Sequence, residues 1–364
     1  MRQNLMLLIL AGACNAFAQA PPITVEWSAL RPYPSTTGAN AQITRDNVNY
    51  DYLWAVMGTD IQTDERANVF LPDGTDVTPS YPGEFNVGSL DFLQEVELCN
   101  GNTYNLMRHQ LLGGVQPVNW HVRSTFGTND WDLWLTNPIN SADFSEVGLD
   151  LLVTDNAVYS CGLSGDGISS SIPRVLKTDL QGNVIWNVTW DPVIPVAVLR
   201  FSSVAELGDT VVCAMFPEVV LFHAATGAYI DIMYPDPTGS LPWGDGPLLT
   251  HGDRIYWSVA AVGYLHAGWF DPASGQSDSW YTSVGPALSV PEIVIDQYDH
   301  IWLGCTTANT GYWFRLGLDL TPIDSGTLYE SIDDMCFVNG KISFTGVLDA
   351  ATSTAYVVTG TPQP

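Results

Sequence analysis

Two tryptophan-containing loops carry the residue types best suited to bind a ligand. The segment "GGVQPVNWH" offers Trp120 and His121, and the segment "PDPTGSLPWGDG" offers Trp243 and Asp245. An exposed tryptophan ring can stack on a sugar ring, while a neighbouring acid or histidine binds the hydroxyl groups. We therefore predict that these four residues bind a ligand. The alternative is packing between sheets, because large aromatic side chains usually contribute core area.

Calcium is the metal that an acidic chain with many oxygen ligands would favour. Asp166 in "SGDGISSS" and Asp245 in "WGDG" are the candidate ligands. Neither segment has the density of a dedicated D-x-D-x-D-G loop, so a glycine-rich surface loop is the alternative interpretation. We predict no cofactor, with calcium as the one candidate.

Motifs of known catalytic sites are missing from the sequence. There is no H-E-x-x-H, no G-x-S-x-G elbow and no P-loop. The histidines are scattered without metal-ligand spacing: His109, His121, His223, His251, His266 and His300. No catalytic residue can therefore be named, although carboxylates brought together from distant segments would leave no motif.

The charge balance excludes some classes of partner. The formal net charge is −27, with only 12 lysines and arginines. Nucleic acids and anionic membrane surfaces require basic patches, so neither is expected to bind. A protein or a glycan is the predicted partner.

The first 18 residues resemble an export signal. Arg2 precedes the apolar run "LMLLILAGA", and the small-residue site Ala16-Phe17-Ala18 follows. The run is too short for a membrane helix, so we predict cleavage after Ala18 and a secreted or periplasmic protein. The alternative is a lipoprotein signal that anchors the chain through Cys14 at a bacterial outer membrane. No later segment has the length of a membrane span.

The cysteines do not form a disulfide framework. The number that follows the signal is odd, and no C-x-x-C pair suggests zinc. Most have apolar neighbours, which favours buried free thiols. A bridge between Cys161 and Cys213 remains an alternative. The five residues are Cys99, Cys161, Cys213, Cys305 and Cys336.

An internal repeat predicts the fold. A strand rich in β-branched and aromatic residues recurs about every 40 to 55 residues, a period typical of four-stranded propeller blades. The repeats are "YLWAVMG", "YNLMRH", "AVYSCG", "TVVCAM", "IYWSVA", "IWLGCT" and "ISFTGV". Tight turns such as "DLQGN", from Asp179 to Asn183, separate the later strands. Trp186 and Trp190 share one face of the strand that follows this turn and should pack between sheets.

The ends of the chain predict a closed ring. The last unit stops after its third strand, "AYVVTG", and the segment "ITVEWSAL" from Ile23 is a single strand without its first three. Joined, they complete one blade and remove the open sheet edges. The prediction is an all-β protein, with residues 19–364 forming a single β-propeller of seven four-stranded antiparallel blades after a signal peptide at residues 1–18.

Some of these repeats resemble known propeller families. The segments "VVLFHAATGAYIDIMY" and "VLKTDLQGNVIWNVTW" are similar to quinoprotein-like (PQQ-like) repeats, and "VIDQYDHIWLGCT" is similar to the repeats of sensor-kinase propellers. The resemblance implies the fold and not an activity. Quinone-dependent dehydrogenases of this type have eight blades and adjacent cysteines, which this chain lacks. The segment "TDLQGNVIW" is one residue out of step with the Asp-box of sialidases.

The function that these observations favour is binding. A rigid ring with variable loops suits recognition of a protein or a glycan by an exported, non-catalytic module. The alternative is a propeller-type carbohydrate-active enzyme, a lyase or a hydrolase, that uses carboxylates over the central channel.

Overall fold

A computed structural model of the chain shows that the regular elements of its described residues are β-strands. No helix in the described part of the chain is long and apolar enough to cross a membrane. The signal segment, Cys14 and Asp166 lie outside the described residues. The described residues are 23–32, 40–45, 53–58, 66–70, 73–75, 91–99, 102–110, 118–125, 131–135, 145–165, 171–190, 199–239, 241, 243–261, 263–286, 289–307, 310–328, 331–338, 340–349 and 354–364.

Seven antiparallel sheets, the blades, contain all 27 strands that the structure describes. Blade one comprises β2 (Asn40–Arg45), β3 (Leu53–Gly58) and β4 (Arg66–Phe70). Blade two comprises β5 (Asp91–Cys99), β6 (Asn102–Gln110), β7 (Val118–Thr125) and β8 (Trp131–Leu135). Blade three comprises β9 (Ser145–Val153), β10 (Val158–Gly165), β11 (Ser171–Thr178) and β12 (Val184–Thr189).

The remaining blades repeat this order. Blade four comprises β13 (Ser203–Leu207), β14 (Thr210–Met215), β15 (Glu218–His223) and β16 (Tyr229–Met233). Blade five comprises β17 (Leu248–His251), β18 (Arg254–Ala261), β19 (Tyr264–Phe270) and β20 (Ser277–Ser283). Blade six comprises β21 (Glu292–Ile295), β22 (His300–Thr307), β23 (Thr310–Gly317) and β24 (Pro322–Leu328). Blade seven comprises β25 (Asp334–Val338), β26 (Lys341–Asp349), β27 (Thr354–Pro362) and β1 (Ile23–Pro32).

The N-terminal strand closes the ring, as the sequence predicts. β1 is the outer strand of blade seven and pairs with β27, from Ile23 opposite Pro362 to Pro32 opposite Thr354. The first strands of successive blades also contact one another around a full circle, from β2 through β5, β9, β13, β17, β21 and β25 back to β2. These strands therefore surround a central channel. The predicted fourth strand of blade one lies outside the described residues.

The up-and-down order of each blade gives the ring two different ends. We call upper the end where second strands turn into third strands and where one blade leads to the next. The lower end carries the turns between first and second strands and between third and fourth strands. Antiparallel pairing fixes this division, because each strand reverses the direction of the one before it.

Tryptophan side chains join neighbouring blades at the lower end. The Trp186 indole packs against Gly227 in the turn of blade four and donates a 3.0 Å hydrogen bond from Nε1 to the Ala224 carbonyl. Trp131 of blade two makes the equivalent 3.0 Å bond to the Leu180 carbonyl of blade three. Trp190 packs against the same apolar cluster as Trp186, which confirms the predicted packing between sheets.

The turn from Asp179 to Asn183 has a structural role. The Asp179 carboxylate accepts hydrogen bonds from the backbone amides of Gln181 and Asn183 at 2.9 and 2.8 Å. Gly182 supplies the positive φ of 81° that the turn requires. This turn is a connector of strands rather than a ligand loop.

Four cysteine side chains that the structure describes are buried: Cys161, Cys213, Cys305 and Cys336. The alternative bridge between Cys161 and Cys213 is not formed, although both lie in one apolar cluster between blades three and four. Burial raises the pKa of both thiols well above the ordinary value, which keeps them protonated.

Candidate functional site

The long connection from β16 to β17, described at residues 234–239, 241 and 243–247, crosses the upper end of blade five. Leu241 is buried in the core between blades four and five. A Cβ atom on Gly244 would lie 3.0 Å from Val259, and one on Gly246 would lie 1.8 Å from the Ser258 carbonyl. The backbone therefore lies directly on β18, and only glycine fits at the second position. This contact holds the connection against the blade.

Trp243 stands out from this tightly packed connection. Its side chain is 56% exposed, although it directly precedes the packed Gly244. Large aromatic side chains held by a rigid backbone provide contact area with little loss of conformational entropy on binding. The Trp243 ring is therefore exposed enough for a sugar ring to stack on it, as predicted from the sequence.

Asp245 is bound by an arginine of the preceding blade. The Arg200 guanidinium donates two hydrogen bonds to the Asp245 carboxylate, one from Nε to Oδ1 at 2.9 Å and one from Nη2 to Oδ2. The pair raises the pKa of Arg200. Both carboxylate oxygens are engaged in this interblade salt bridge, which fixes the inner end of the connection. The sequence predicted Asp245 as a ligand residue and gave no sign of Arg200.

The outer end of the connection contacts blade five through Asp236. This carboxylate is 5% exposed and accepts a 2.8 Å hydrogen bond from the Ser279 hydroxyl on β20. The Thr238 amide and hydroxyl also donate to it. The connection is thus bonded to neighbouring blades at both ends, at Asp236 and at Asp245.

Three aromatic residues form a cluster beside this outer end, which we call the aromatic corner: Tyr264, His266 and Tyr281. His266 stacks on Tyr281 with ring centroids 5.7 Å apart and planes 28° apart. The Tyr264 ring meets the Tyr281 ring at 70° with centroids 6.1 Å apart. The two tyrosines are 44% and 63% exposed. Burial lowers the pKa of His266, so this ring is neutral at neutral pH.

Strand pairing places the aromatic corner and Trp243 on one side of blade five. Tyr281 pairs with His266, and Tyr264 pairs with Ala261, so their side chains share the face turned toward blade four. Gly244 packs on the same face, near Ala261. Trp243 and the aromatic corner therefore border one surface at the upper end of blades four and five.

Other predicted site residues lie elsewhere. Trp120 is fully buried, with a solvent exposure of 0%, and packs in a cluster with Leu106 and Val122. The Trp120 ring therefore packs between sheets, which is the alternative predicted from the sequence. His121 lies in β7, where its backbone pairs with Met107 and Trp134. The structure therefore does not bring Trp120 to the surface that carries Trp243.

Acidic side chains of three first strands lie near one another at the central channel: Asp150 in β9, Glu292 in β21 and Asp334 in β25. Asp150 pairs with Cys161 and Glu292 pairs with Gly304, each in the fourth backbone pair from its hairpin turn, whereas Asp334 pairs with Thr345 in the fifth. In blade four, Ser203 occupies the fifth pair of β13 and β14.

Two of these carboxyl groups, those of Glu292 and Asp150, have a raised pKa. Desolvation, and then the charges of Asp334, Asp150 and Asp333, raise the pKa of Glu292 well above the ordinary value. Desolvation also raises the pKa of Asp150. Hydrogen bonds from the Ser203 hydroxyl at 2.6 Å and the Val204 amide at 2.7 Å lower this pKa but do not cancel the effect of desolvation. Among the described residues, no group of three or more His, Cys, Asp or Glu side chains has a metal-binding arrangement.

Neither the residues of the aromatic corner nor the individual channel carboxylates were predicted from the sequence. The alternation in "YLHAGWF" and "SWYTS" could have placed Tyr264, His266 and Tyr281 on one face, once the register of the two strands was known. The channel carboxylates do not lie at one distance from their turns, since Asp150 and Glu292 are four pairs away and Asp334 is five. Both features depend on register, which the sequence alone does not define.

Comparisons with known proteins support the fold. No protein-family model matches the sequence, and no curated protein matches it. Among solved structures, the crystal structure of BamB from Moraxella catarrhalis is similar, with a TM-score of 0.54 and 12% sequence identity over 92% of this chain and 99% of that chain. At this identity the likeness concerns the fold alone. The chain is a β-propeller of the same general architecture.

Proposed function

We propose that this protein is an exported, non-catalytic binding propeller that recognises a protein or a glycan through the upper end of blades four and five. The observation that carries the proposal is Trp243, a 56% exposed tryptophan on a connection fixed at both ends. Exposed aromatic residues on rigid supports are typical anchors of binding surfaces. The resemblance of residues 1–18 to an export signal supports a secreted or periplasmic location, with attachment through Cys14 as the alternative.

The test is a thermal-unfolding screen of the mature chain, from Gln19 onward, against soluble polysaccharides and candidate protein partners. A ligand at 100 times its Kd stabilises the folded state by about 2.7 kcal/mol, enough to raise Tm clearly. We expect a Tm rise with at least one ligand, and we expect Trp243→Ala to abolish it.

Tyr229→Ala is the matched control, because Tyr229 is 51% exposed on β16 at the lower end. The control should keep the full Tm rise. A ligand effect that survives Trp243→Ala would show that the binding surface lies elsewhere and would contradict the proposal.

The channel supports a second candidate function, a carbohydrate-active enzyme. Glu292 combines a raised pKa with neighbouring carboxylates, the environment that general acids of glycosidases share. Release of reducing sugar from a polysaccharide panel by the wild-type protein, and its loss in Glu292→Gln, is the expected result for this enzyme. The exposed Asp278→Asn variant is the control and should retain activity. No sugar release from any substrate would contradict this candidate.

A further inference from the structure

We propose that the aromatic corner, Tyr264, His266 and Tyr281, is a binding site for an arginine side chain of a basic protein partner. The inference rests on the proposed binding function and names the chemistry of its partner. It assigns the ligand contact to the outer strands of blade five, a part of the surface that no sequence motif indicates.

The shape of the aromatic corner suits a guanidinium group. Tyr281 is 63% exposed, and His266 stacks at 5.7 Å on one side of its ring. The other side of the Tyr281 ring is therefore the accessible one, with the Tyr264 ring standing at 70° beside it. Two aromatic rings at a steep angle can contact a planar guanidinium with a face and an edge at once.

The aromatic corner is also rigid. The Tyr281 and His266 backbones are paired across β19 and β20, and Ser279 on the same face is bonded to the buried Asp236 carboxylate. The rings are therefore held in place before a ligand arrives. A preformed site avoids much of the entropic cost of ordering side chains on binding.

The charge of the protein favours a cationic ligand. The net charge of −27 favours a cationic ligand over a neutral or an acidic one, because the field of the whole molecule attracts it. Asp236 lies close enough to act on the charge of His266, so a carboxylate is already present beside the corner. His266 is neutral at neutral pH and does not oppose a cation.

Each cationic side chain that the structure describes is engaged away from this site. Blade five already contains a comparable contact, since the Arg254 guanidinium lies over the Trp269 ring at 3.6 Å. The other described cationic side chains have these partners: Arg174 with Glu146, Arg200 with Asp245, Arg315 with Asp324, Lys341 with Glu26, and Lys177 with the Ala224 carbonyl. None of these six side chains occupies the corner, which favours an arginine supplied by another molecule.

The experiment measures binding of a labelled peptide of four Gly-Arg repeats by fluorescence anisotropy. Peptides with lysine or with uncharged citrulline in place of arginine are compared, together with the neutral sugars cellohexaose and chitohexaose. We expect the arginine peptide to bind most tightly, the lysine peptide to bind more weakly, and the citrulline peptide not to bind. Tyr281→Leu and Tyr264→Leu should each weaken arginine-peptide binding about three- to tenfold, the range of a cation–π contact.

Two variants serve as controls. Tyr281→Phe keeps the ring and should bind within twofold of wild type. Tyr229→Leu removes a similarly exposed tyrosine at the lower end and should also bind within twofold. Repeating the measurement in 1 M salt, where the Debye length is about 3 Å, suppresses diffuse attraction to the acidic surface.

Several outcomes overturn the inference. If Tyr281→Leu and Tyr229→Leu weaken binding of the arginine peptide equally, the peptide is held by diffuse attraction to the acidic surface. If the peptide does not bind at all, the corner is not an arginine site. Sugar binding that depends on Tyr281 would make the corner a glycan platform instead. If Trp243→Ala weakens binding of the ligand found in the screen while Tyr281→Leu does not, the binding function stands and the arginine site does not.

Discussion

At the residue scale, the Asp150 carboxyl shows how one side chain joins three blades. It accepts hydrogen bonds from the Ser203 hydroxyl and the Val204 amide of blade four. The Ser203 oxygen in turn accepts a 3.0 Å bond from the Leu248 amide of blade five. A buried carboxyl that is fully hydrogen-bonded costs less than an isolated one, so the channel wall tolerates Asp150 at this level.

Glu292 is the channel residue whose charge should cost stability at neutral pH. Its pKa in the folded protein lies above the unfolded value, because of desolvation and the charges of Asp334, Asp150 and Asp333. The folded state then binds more protons between the two pKa values, so the free energy of unfolding falls as pH rises through that window. Asp150 acts in the same direction.

We therefore predict that Glu292→Gln raises the free energy of unfolding at pH 8 and flattens its decline between pH 5 and pH 8. Urea unfolding at several pH values measures both effects. The exposed Asp278→Asn variant is the control and should leave the slope unchanged. Carboxyl groups with lowered pKa, such as Asp179, act oppositely and lose stabilisation only at more acidic pH. A Glu292→Gln curve parallel to wild type would refute the assignment.

At the element scale, the turn between third and fourth strands is the unit that binds blade to blade. The Trp186 indole of blade three lies against Gly227, which has a φ of 69°. Blade six has Leu320 at this position of the turn, with a φ of 64°, where the described turns of blades one, three, four and five have glycine. Leu320 is 5% exposed and packs in the core between blades five and six. Its apolar burial offsets the strain of the left-handed backbone.

Two glycine substitutions separate backbone strain from interblade packing. A Cβ atom on Gly227 would lie 2.8 Å from the Trp186 ring, whereas one on Gly208, with a φ of 59°, meets nothing within 4 Å. We expect Gly208→Ala to lower the free energy of unfolding by about 1 kcal/mol, because it adds backbone strain alone. Gly227→Ala should lower it by about 2 to 4 kcal/mol, because the new Cβ atom also clashes with the Trp186 ring. Urea unfolding of both variants measures the difference. Equal costs would show that the tryptophan contact adds nothing.

The strands and turns of this fold can be predicted from the sequence because their signals are local. The repeat near Val184, Trp186 and Val188 alternates with period two and follows a glycine turn, so the strand could be recognised without its neighbours. The binding surface has no local signal. Arg200 meets Asp245 across 45 residues of sequence, and the partner of each residue depends on how two blades pack. Trp120 and Trp243 look alike in sequence, yet one is buried and the other exposed.

At the scale of the whole molecule, one strand holds the two ends of the chain together. β1 pairs along its length with β27, and Ile23 and Val25 pack against the core between blades six and seven. The Glu26 carboxylate is paired with the Lys341 ammonium of β26 at 2.5 Å, which, with the Thr361 hydroxyl, lowers the pKa of Glu26. Without β1, the edge of β27 would present unpaired backbone groups to solvent.

We predict that a chain starting after Pro32 loses cooperative unfolding and self-associates through the open edge of β27. Size-exclusion chromatography and urea unfolding test this against a chain that starts at Gln19. A synthetic peptide with the sequence of Ile23–Pro32, supplied in excess, should restore the monomer, because the edge accepts only a strand of matching register and apolar pattern. A peptide in which Ile23 and Val25 are replaced by serine is the control and should fail. If the shortened chain remained a monomer of unchanged stability, the closure by β1 would be dispensable, and the contacts between first strands around the channel would suffice to hold the ring.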